Sequence, residues 1–283
     1  MIDVSDLDRD QSISLVVARM VAVERSGGDV EIRAIPERED RTNPAVELVT
    51  ADSVGTLAIE HTIIEPYPGQ IRDNHQIRPY ATTLPAMLTG RLPPGGRFEI
   101  NLDVGVANGI KLAPETLEAI AEWVVSAAPL LEEGRPGIDG RHMAKGGPPD
   151  LPFPVTLARW PRHADDVFPE LSIGWWRPSD LEERRRERLA VALRKKLPKL
   201  TTAAAVGHQG VLVIESDDIQ LSNFVDIRAA LHDAAADAED PLPSWIVLWE
   251  QFGESAFVST LRANGAWIDD PRPAALAAIP HGR

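Results

Sequence analysis

The sequence contains no cysteine, few aromatic residues and no long apolar run. Without cysteine the chain forms neither a disulfide nor a zinc–thiolate site, so the cytoplasm is the compartment to expect. No stretch approaches the roughly 18 consecutive apolar residues that indicate a membrane-spanning helix. The acidic N-terminus lacks the basic and then apolar layout of a secretory signal. We therefore expect a cytoplasmic protein without a membrane segment.

Positive charge is also scarce. The 283 residues include 29 Lys and Arg against 43 Asp and Glu, which gives a formal net charge of −14. An acidic field repels nucleic acid, so a chain that acts on nucleic acid must concentrate its basic residues locally. The hydrophobic share of 43% is ordinary for a globular protein and argues against disorder of the whole chain.

Hydrophobic periodicity predicts an α/β protein. Apolar residues between Ile13 and Val21 recur at the spacing of one helix face, and Gly27-Gly28 ends the pattern. Strands are predicted over 29–35, 46–49, 55–64 and 98–104, with helices over 74–92 and 114–131. This order predicts a mixed central sheet flanked by helices. The second half alternates strands and helices, and it either extends the same sheet or forms a second lobe.

Changes in composition predict where the chain divides. We expect an α/β core over 1–131 and a C-terminal α/β part over 155–270. The segment 132–154 between them is rich in Gly and Pro and is predicted to be a surface excursion or linker. The Pro/Ala-rich tail over 271–283 is predicted to be loose.

The most informative segment is a pair of acidic strands near the N-terminus. Because side chains alternate along a strand, Ala45 and Glu47 share one face, as do Glu60 and Thr62. Two adjacent strands would bring Glu47 and Glu60 within reach of one divalent cation. Carboxylate oxygens suit Mg²⁺ or Mn²⁺, which can stabilise charge on a phosphate and activate water.

The pattern resembles the restriction-endonuclease-like, or PD-(D/E)xK, nuclease superfamily over residues 12–105. In that pattern Pro-Asp lies on one strand of a hairpin, and an acid, one spacer and a Lys lie on the next. Pro44 matches the Pro, and Glu60 matches the second acid. Glu24, on the preceding helix, matches the further acidic ligand that such a helix often carries. The resemblance implies a nuclease-like core over 1–131 and Mg²⁺-dependent cleavage of DNA or RNA.

The sequence departs from this pattern at two positions. Ala45 stands where the metal-binding Asp is expected, and Thr62 stands where the Lys is expected. Three interpretations are possible: Glu47 substitutes for the Asp, the site is inactive, or Ala45 is an engineered change from Asp. The missing Lys could be supplied from elsewhere, and the candidates are Lys195, Lys196 and Lys199.

Two further groups of residues are candidates for substrate binding. Gln76 and Tyr80 have the spacing of a Gln-x-x-x-Tyr helix that occurs in one nuclease branch of the superfamily, although Pro79 interrupts it. The predicted helix from Asp180 is the most basic stretch of the chain, and its Arg185 and Arg188 could hold phosphates. The alternative for that helix is a solvated face with ion pairs.

Other interpretations compete with a nuclease. A nuclease-like scaffold that lacks both the motif Asp and the motif Lys could be a non-catalytic partner-binding protein that recognises nucleic acid or regulates a complex. Glu215, Asp217 and Asp218 follow a buried strand and could serve a small-molecule enzyme, although a turn and helix cap is the favoured explanation. His61 points away from Glu60 and is predicted to be a packed or capping histidine.

Overall fold

A computed structural model describes residues 4–39, 45–65, 69, 81–103, 114–134, 140–149, 151–161, 170–176, 180–216, 224–252 and 255–277. By internal contacts the chain forms two compact units. The first unit comprises Met1–Pro66 together with Glu182–Arg283, and the second unit comprises Tyr67–Leu181. These bounds differ from the predicted divisions at 131, 154 and 270, because the second unit is an insertion between the two halves of the first.

The described residues form helices and strands throughout both units. The helices are α1 (Arg9–Glu24), α2 (Pro36–Glu39), α3 (81–88), α4 (Pro114–Ala127), α5 (Leu181–Ala205) and α6 (Phe224–Ala236). The strands are β1 (Glu31–Ala34), β2 (Leu48–Ala51), β3 (Thr56–Ile63), β4 (Gly96–Asp103), β5 (Met143–Gly146), β6 (Val155–Pro161), β7 (Leu171–Trp176), β8 (Gln209–Ser216), β9 (Trp245–Phe252), β10 (Ser255–Ala263), β11 (Ala266–Trp267) and β12 (Ala274–Ala277). None of the helices so described has both the length and the apolar character needed to cross a bilayer.

The first unit is built on one mixed sheet in the order β1-β2-β3-β8-β9-β10-β11, with β12 pairing β10. Strands β1, β2 and β3 are antiparallel neighbours, whereas β3, β8 and β9 run parallel. The predicted pairing of the two acidic strands is confirmed, with Leu48 opposite Ile59 and Ala51 opposite Thr56. The C-terminal half therefore extends the same sheet, which was one of the two predicted arrangements.

Helices cover both faces of this sheet. Helix α1 packs Ile13, Val17 and Val21 on one face, in a core that also holds Leu57 and Ile59 of β3. Helices α5 and α6 pack on the other face, in a core that holds Ala58. Successive β3 residues thus point to opposite faces, as strand geometry requires. Glu60 consequently faces α5, and His61 faces α1.

The second unit is an α/β unit of its own, with a four-stranded sheet in the order β5-β6-β4-β7. Strand β4 is antiparallel to β6 and parallel to β7. Its apolar side chains pack with those of α3 and α4, among them Phe98, Ile100, Leu88 and Val124. Strand β4 was predicted to belong to the N-terminal sheet, and the structure places it here instead.

Two predicted loops contain strands. Within the predicted excursion 132–154, Met143–Gly146 pairs with β6 as an edge strand, with Ala144 opposite Leu157. Within the predicted loose tail 271–283, Ala274–Ala277 pairs with β10. Neither segment contains the β-branched or aromatic residues that favour strands, and pairing with an existing strand supplies hydrogen bonds that propensity alone does not predict.

Candidate functional site

Five charged side chains meet on the α5 face of β3, and we call them the carboxylate–lysine cluster: Glu37, Glu47, Glu60, Lys196 and Lys199. The Lys196 Nζ atom lies 2.8 Å from Glu47 Oε1 and 2.7 Å from Glu60 Oε2, so it bridges the two acidic strands. The Lys199 Nζ atom lies 3.2 Å from Glu60 Oε1 and 2.8 Å from Glu37 Oε1. The cluster carries three carboxylates and two ammonium groups.

The strand pair fixes the two central carboxylates. Glu60 lies in the middle of β3 and its side chain is 0% exposed. Glu47 precedes β2, where its backbone N–H donates to the Ile59 carbonyl at 3.1 Å. The second Glu47 oxygen accepts a 3.0 Å hydrogen bond from the His61 backbone N–H. The Glu47 carboxylate is therefore held by the backbone of β3, and the Glu60 carboxylate is fixed by its buried position on the same strand.

Helix α5 brings the lysines to the cluster by its own periodicity. Leu193, Leu197 and Leu200 are buried against the sheet. Lys196 follows Leu193 by three residues and Lys199 follows Lys196 by three, so both lysines lie on the side of the helix that faces the sheet. Lys196 and Lys199 extend along this face, and their side chains are 18% and 17% exposed. The long apolar stems of lysine allow such packing while the ammonium groups reach the carboxylates.

Burial and mutual charge set the protonation of the cluster. Burial raises the pKa of Glu60 to about 7, although the adjacent Lys196 ammonium opposes the change. Burial also raises the pKa of Glu47, although the Lys196 ammonium again opposes the change. The pKa of Lys196 is raised, because the Glu47 and Glu60 carboxylates outweigh the burial that would lower it. Lys196 is therefore positively charged and lies between the two carboxylates.

The structure brings together some of the predicted site residues and separates others. Ala45 lies half-buried two residues before Glu47 in the first acidic segment, and Thr62 lies two residues beyond Glu60 on β3. Lys195 is exposed, so Lys196 rather than Lys195 lies beside Glu60. Pro44, Gln76, Tyr80, Asp217 and Asp218 lie outside the described residues.

Glu24 does not join the cluster. It ends α1, which packs on the opposite face of the sheet from Glu60, and it accepts a 3.0 Å hydrogen bond from Thr260 Oγ1 of β10. Since β8 and β9 separate β10 from β3, Glu24 is also displaced along the sheet. The predicted role of Glu24 as a third ligand therefore does not fit its position, and Glu37 of α2 occupies that place instead.

The two arginines predicted to hold phosphate are paired with carboxylates. Arg185 is only 1% exposed, and its Nη2 atom lies 3.5 Å from Asp226 Oδ2. Arg188 Nη2 lies 3.1 Å from Glu65 Oε2, and its side chain is 37% exposed. Of the two, Arg188 is the one that solvent and a ligand can reach.

A second polar group lies on the α1 face, and we call it the histidine cluster: Arg9, Asp10, His61, Glu215 and Gln251. His61 lies between two carboxylates, with Nε2 at 2.9 Å from Glu215 Oε2 and Nδ1 at 3.6 Å from Asp10 Oδ2. Arg9 binds both oxygens of Glu215 and reaches Gln251 Oε1 at 2.8 Å. This arrangement agrees with the prediction of a packed histidine.

Charge in the histidine cluster is balanced by close ion pairs. Burial alone would lower the pKa of His61, but the Asp10 and Glu215 carboxylates outweigh it and raise the pKa to about 9. The charged His61 ring in turn lowers the pKa of Asp10. Burial would raise the pKa of Glu215, but His61 and Arg9 together lower it.

Sequence reasoning did not find Arg9, Asp10, Gln251 or Glu37. For Arg9 and Asp10, the sequence did contain a signal for the start of their helix. Asp8 and Gln11 form a capping box there, in which the Gln11 N–H donates to Asp8 Oδ1 at 2.9 Å. That box fixes the first turn of α1. The parallel course of β3, β8 and β9 then places the ends of all three strands at one edge, where a helix start can meet them.

The donor sets of the two clusters differ in chemistry. One oxygen from each of Glu37, Glu47 and Glu60 lies within 4.8 Å of the others, and the same limit holds for Asp10, His61 and Glu215. The first set is all oxygen, which is what Mg²⁺ and Mn²⁺ prefer. In the second set the Asp10 and Glu215 carboxylates raise the pKa of His61, so a metal ion would have to displace the ring proton.

Comparison with known proteins gives no relative for this chain. No family model, no curated protein and no solved structure matches it.

Proposed function

We propose that this chain is a metal-dependent nuclease-like protein that acts on DNA or RNA phosphodiesters, with a restriction-endonuclease-like core in its first unit. The observation that carries the proposal is the pair Glu47 and Glu60, which adjacent strands hold on one face with Lys196 between them. Acids on a hairpin with a lysine beside them are the elements of the PD-(D/E)xK pattern.

The surrounding topology supports the same proposal. Helix α1 precedes the hairpin, β2 and β3 form it, and α5 follows it before the parallel strand β8. The pattern calls for a helix on each side of the hairpin. Here the second unit separates β3 from α5 in sequence, but α5 still packs on the sheet beside β3.

The residues fit a divalent cation. Glu47 and Glu60 supply hard oxygen ligands, with Glu37 as a third, and the Lys196 ammonium already marks a position where positive charge is stabilised between them. When bound, Mg²⁺ or Mn²⁺ would stabilise charge on a phosphate and lower the pKa of a water molecule. The lysines would neutralise a neighbouring phosphate oxygen, which is the task of the motif Lys that Thr62 does not perform.

A non-catalytic role in partner binding is the second candidate. The observation that favours it is the charge balance of the carboxylate–lysine cluster, because Lys196 and Lys199 already neutralise most of the carboxylate charge. Ala45 removes a further carboxylate from the expected position. A scaffold in this state would be stable without a metal and could serve recognition alone.

A cleavage assay separates the two candidates. Single- and double-stranded DNA and RNA would be incubated with the parent chain and with Ala45→Asp, in Mg²⁺, Mn²⁺ or EDTA. We expect weak cleavage by the parent and an increase of about a hundredfold in Ala45→Asp, the upper range for partners that orient a metal ligand. Ala45→Asn is the matched control, since it adds similar volume without a charge.

Three results bear on the assignment. Glu60→Ala in the Ala45→Asp background should abolish the metal-dependent signal. Strong cleavage by the parent would show that Ala45 is not at the motif position. No cleavage by Ala45→Asp on any of the substrates would favour the partner-binding role.

A further inference from the structure

The structure assigns Lys196 as a resident cation of the carboxylate–lysine cluster, and we propose that a divalent metal ion binds there only by displacing it. The inference rests on the proposed function and concerns how that site is regulated. Its starting point is one atom, because Lys196 Nζ contacts Glu47 Oε1 at 2.8 Å and Glu60 Oε2 at 2.7 Å. A metal ion held by Glu47 and Glu60 would bind the same two carboxylates.

The ammonium group cannot share those oxygens with a metal ion. Mg²⁺ requires oxygen ligands at about 2.0–2.1 Å in octahedral geometry, and that shell would include the space the ammonium fills. Like charges in a poorly solvated site also repel strongly. Metal and lysine are therefore alternative occupants of the same place.

The remaining contacts show why Lys196, rather than Lys199, is the competitor. Lys199 Nζ lies at 3.2 and 3.4 Å from the two Glu60 oxygens and pairs more closely with Glu37, at 2.8 Å. It does not bridge the strand pair. Lys196 alone among the described residues contacts both Glu47 and Glu60 through a charged side chain.

Displacement is possible because Lys196 has an alternative environment. Its side chain is 18% exposed, so the flexible four-carbon stem reaches solvent without unfolding α5. A displaced ammonium remains near the site and can meet a phosphate oxygen there. The cluster thus has two states, one closed by lysine and one loaded with metal, and phosphate favours the second by binding the released lysine.

Calorimetric titration with Mn²⁺ tests the competition directly. Lys196→Met keeps the stem of the side chain and removes the ammonium group, and Lys195→Met removes one exposed charge from the same helix as the control. We expect Lys196→Met to bind Mn²⁺ at least about tenfold more tightly than the parent, the lower range for groups that tune a metal site. Lys195→Met should bind like the parent.

A second measurement uses the unmodified chain and does not depend on the folding of a variant. Lysines are acetylated with and without Mn²⁺ at equal ionic strength, and the modified positions are quantified by mass spectrometry. Displacement should raise the acetylation rate of Lys196 severalfold while that of Lys195 stays constant. If Lys196→Met unfolds without metal, recovery of its helical circular dichroism by Mn²⁺ also supports the competition.

The outcomes distinguish this inference from the proposed function. Equal Mn²⁺ affinity of the parent and Lys196→Met, together with unchanged acetylation of Lys196, would overturn the competition and leave a metal-binding nuclease site standing. Absence of Mn²⁺ binding in the parent, in Lys196→Met and in Ala45→Asp would overturn both. Tighter binding by Lys196→Met without any cleavage would support the competition and count against the nuclease.

Discussion

Replacement of His61 by Gln should remove a pH-dependent part of the stability of the first unit. The pKa of His61 is about 9 in the folded chain against an ordinary value of 6.5, because Asp10 and Glu215 outweigh the burial that would lower it. A pKa difference of this size corresponds to about 3 kcal/mol. Since the folded state binds the proton more tightly, this stability is fully present below pH 6.5 and is lost as the pH rises through 9.

Urea unfolding at a series of pH values measures this contribution. In the parent, His61 should contribute a slope of about −1.4 kcal/mol per pH unit between pH 6.5 and 9. The difference between parent and His61→Gln should therefore shrink from about 3 kcal/mol at about pH 6 toward zero above about pH 9. His208→Gln is the control, since His208 lies outside the histidine cluster and contacts Thr56 Oγ1. A difference that stays constant with pH would refute the ion-pair explanation.

Three other substitutions test the histidine cluster and two further buried positions. Arg9→Met should destabilise the chain by about 3 kcal/mol, because it leaves the fully buried Glu215 without the guanidinium group that binds both of its oxygens. Glu250→Gln should stabilise the chain by up to about 3 kcal/mol at about pH 8 and have little effect near pH 4.5, because burial raises the pKa of Glu250 to about 7 and this cost appears as the pH rises. Gly27→Ala should cost about 1–3 kcal/mol, because its Cβ would overlap the Asp52 carboxylate. Denaturant unfolding measures all three.

Matched controls make these values interpretable. Arg19→Met and Glu239→Gln change exposed side chains of the same types, and each should alter stability by less than about 0.5 kcal/mol. Gly146→Ala adds a Cβ at an ordinary 3.5 Å from Trp123 and should be tolerated far better than Gly27→Ala. If Gly27→Ala matched Gly146→Ala, Asp52 would be free to move, which its 2.9 Å bond from Arg25 Nε argues against.

Local sequence patterns were sufficient to predict individual helices and strands. The apolar residues between Leu57 and Ile64 predicted β3, and the helical spacing from Ile13 predicted α1. The hairpin between β2 and β3 is a short-range pairing, and its side-chain alternation was sufficient to place Glu47 and Glu60 on one face. The half of the site that lies on the hairpin was therefore predictable.

The other half depends on long-range pairing, which has no local signal. Lys199 and Glu60 are 139 residues apart, and only the parallel pairing of β3 with β8 brings α5 over β3. The choice of Lys196 over Lys195 could have been made from the buried leucines of α5, because their spacing defines which side of the helix faces the sheet. Glu37 and the small strand β12 had no such signal.

The insertion of the second unit has a consequence for biosynthesis. When β3 leaves the ribosome its β8 neighbour has not been made, so the centre of the future sheet is an open edge that carries Glu60 and His61. At about 5–20 residues per second, the 139 residues between Glu60 and Lys199 take roughly 7–28 s to synthesise. The second unit is completed within that interval and can fold first. The nascent first unit therefore has an exposed strand edge that a chaperone, or a wrong strand, can reach before β8 closes it.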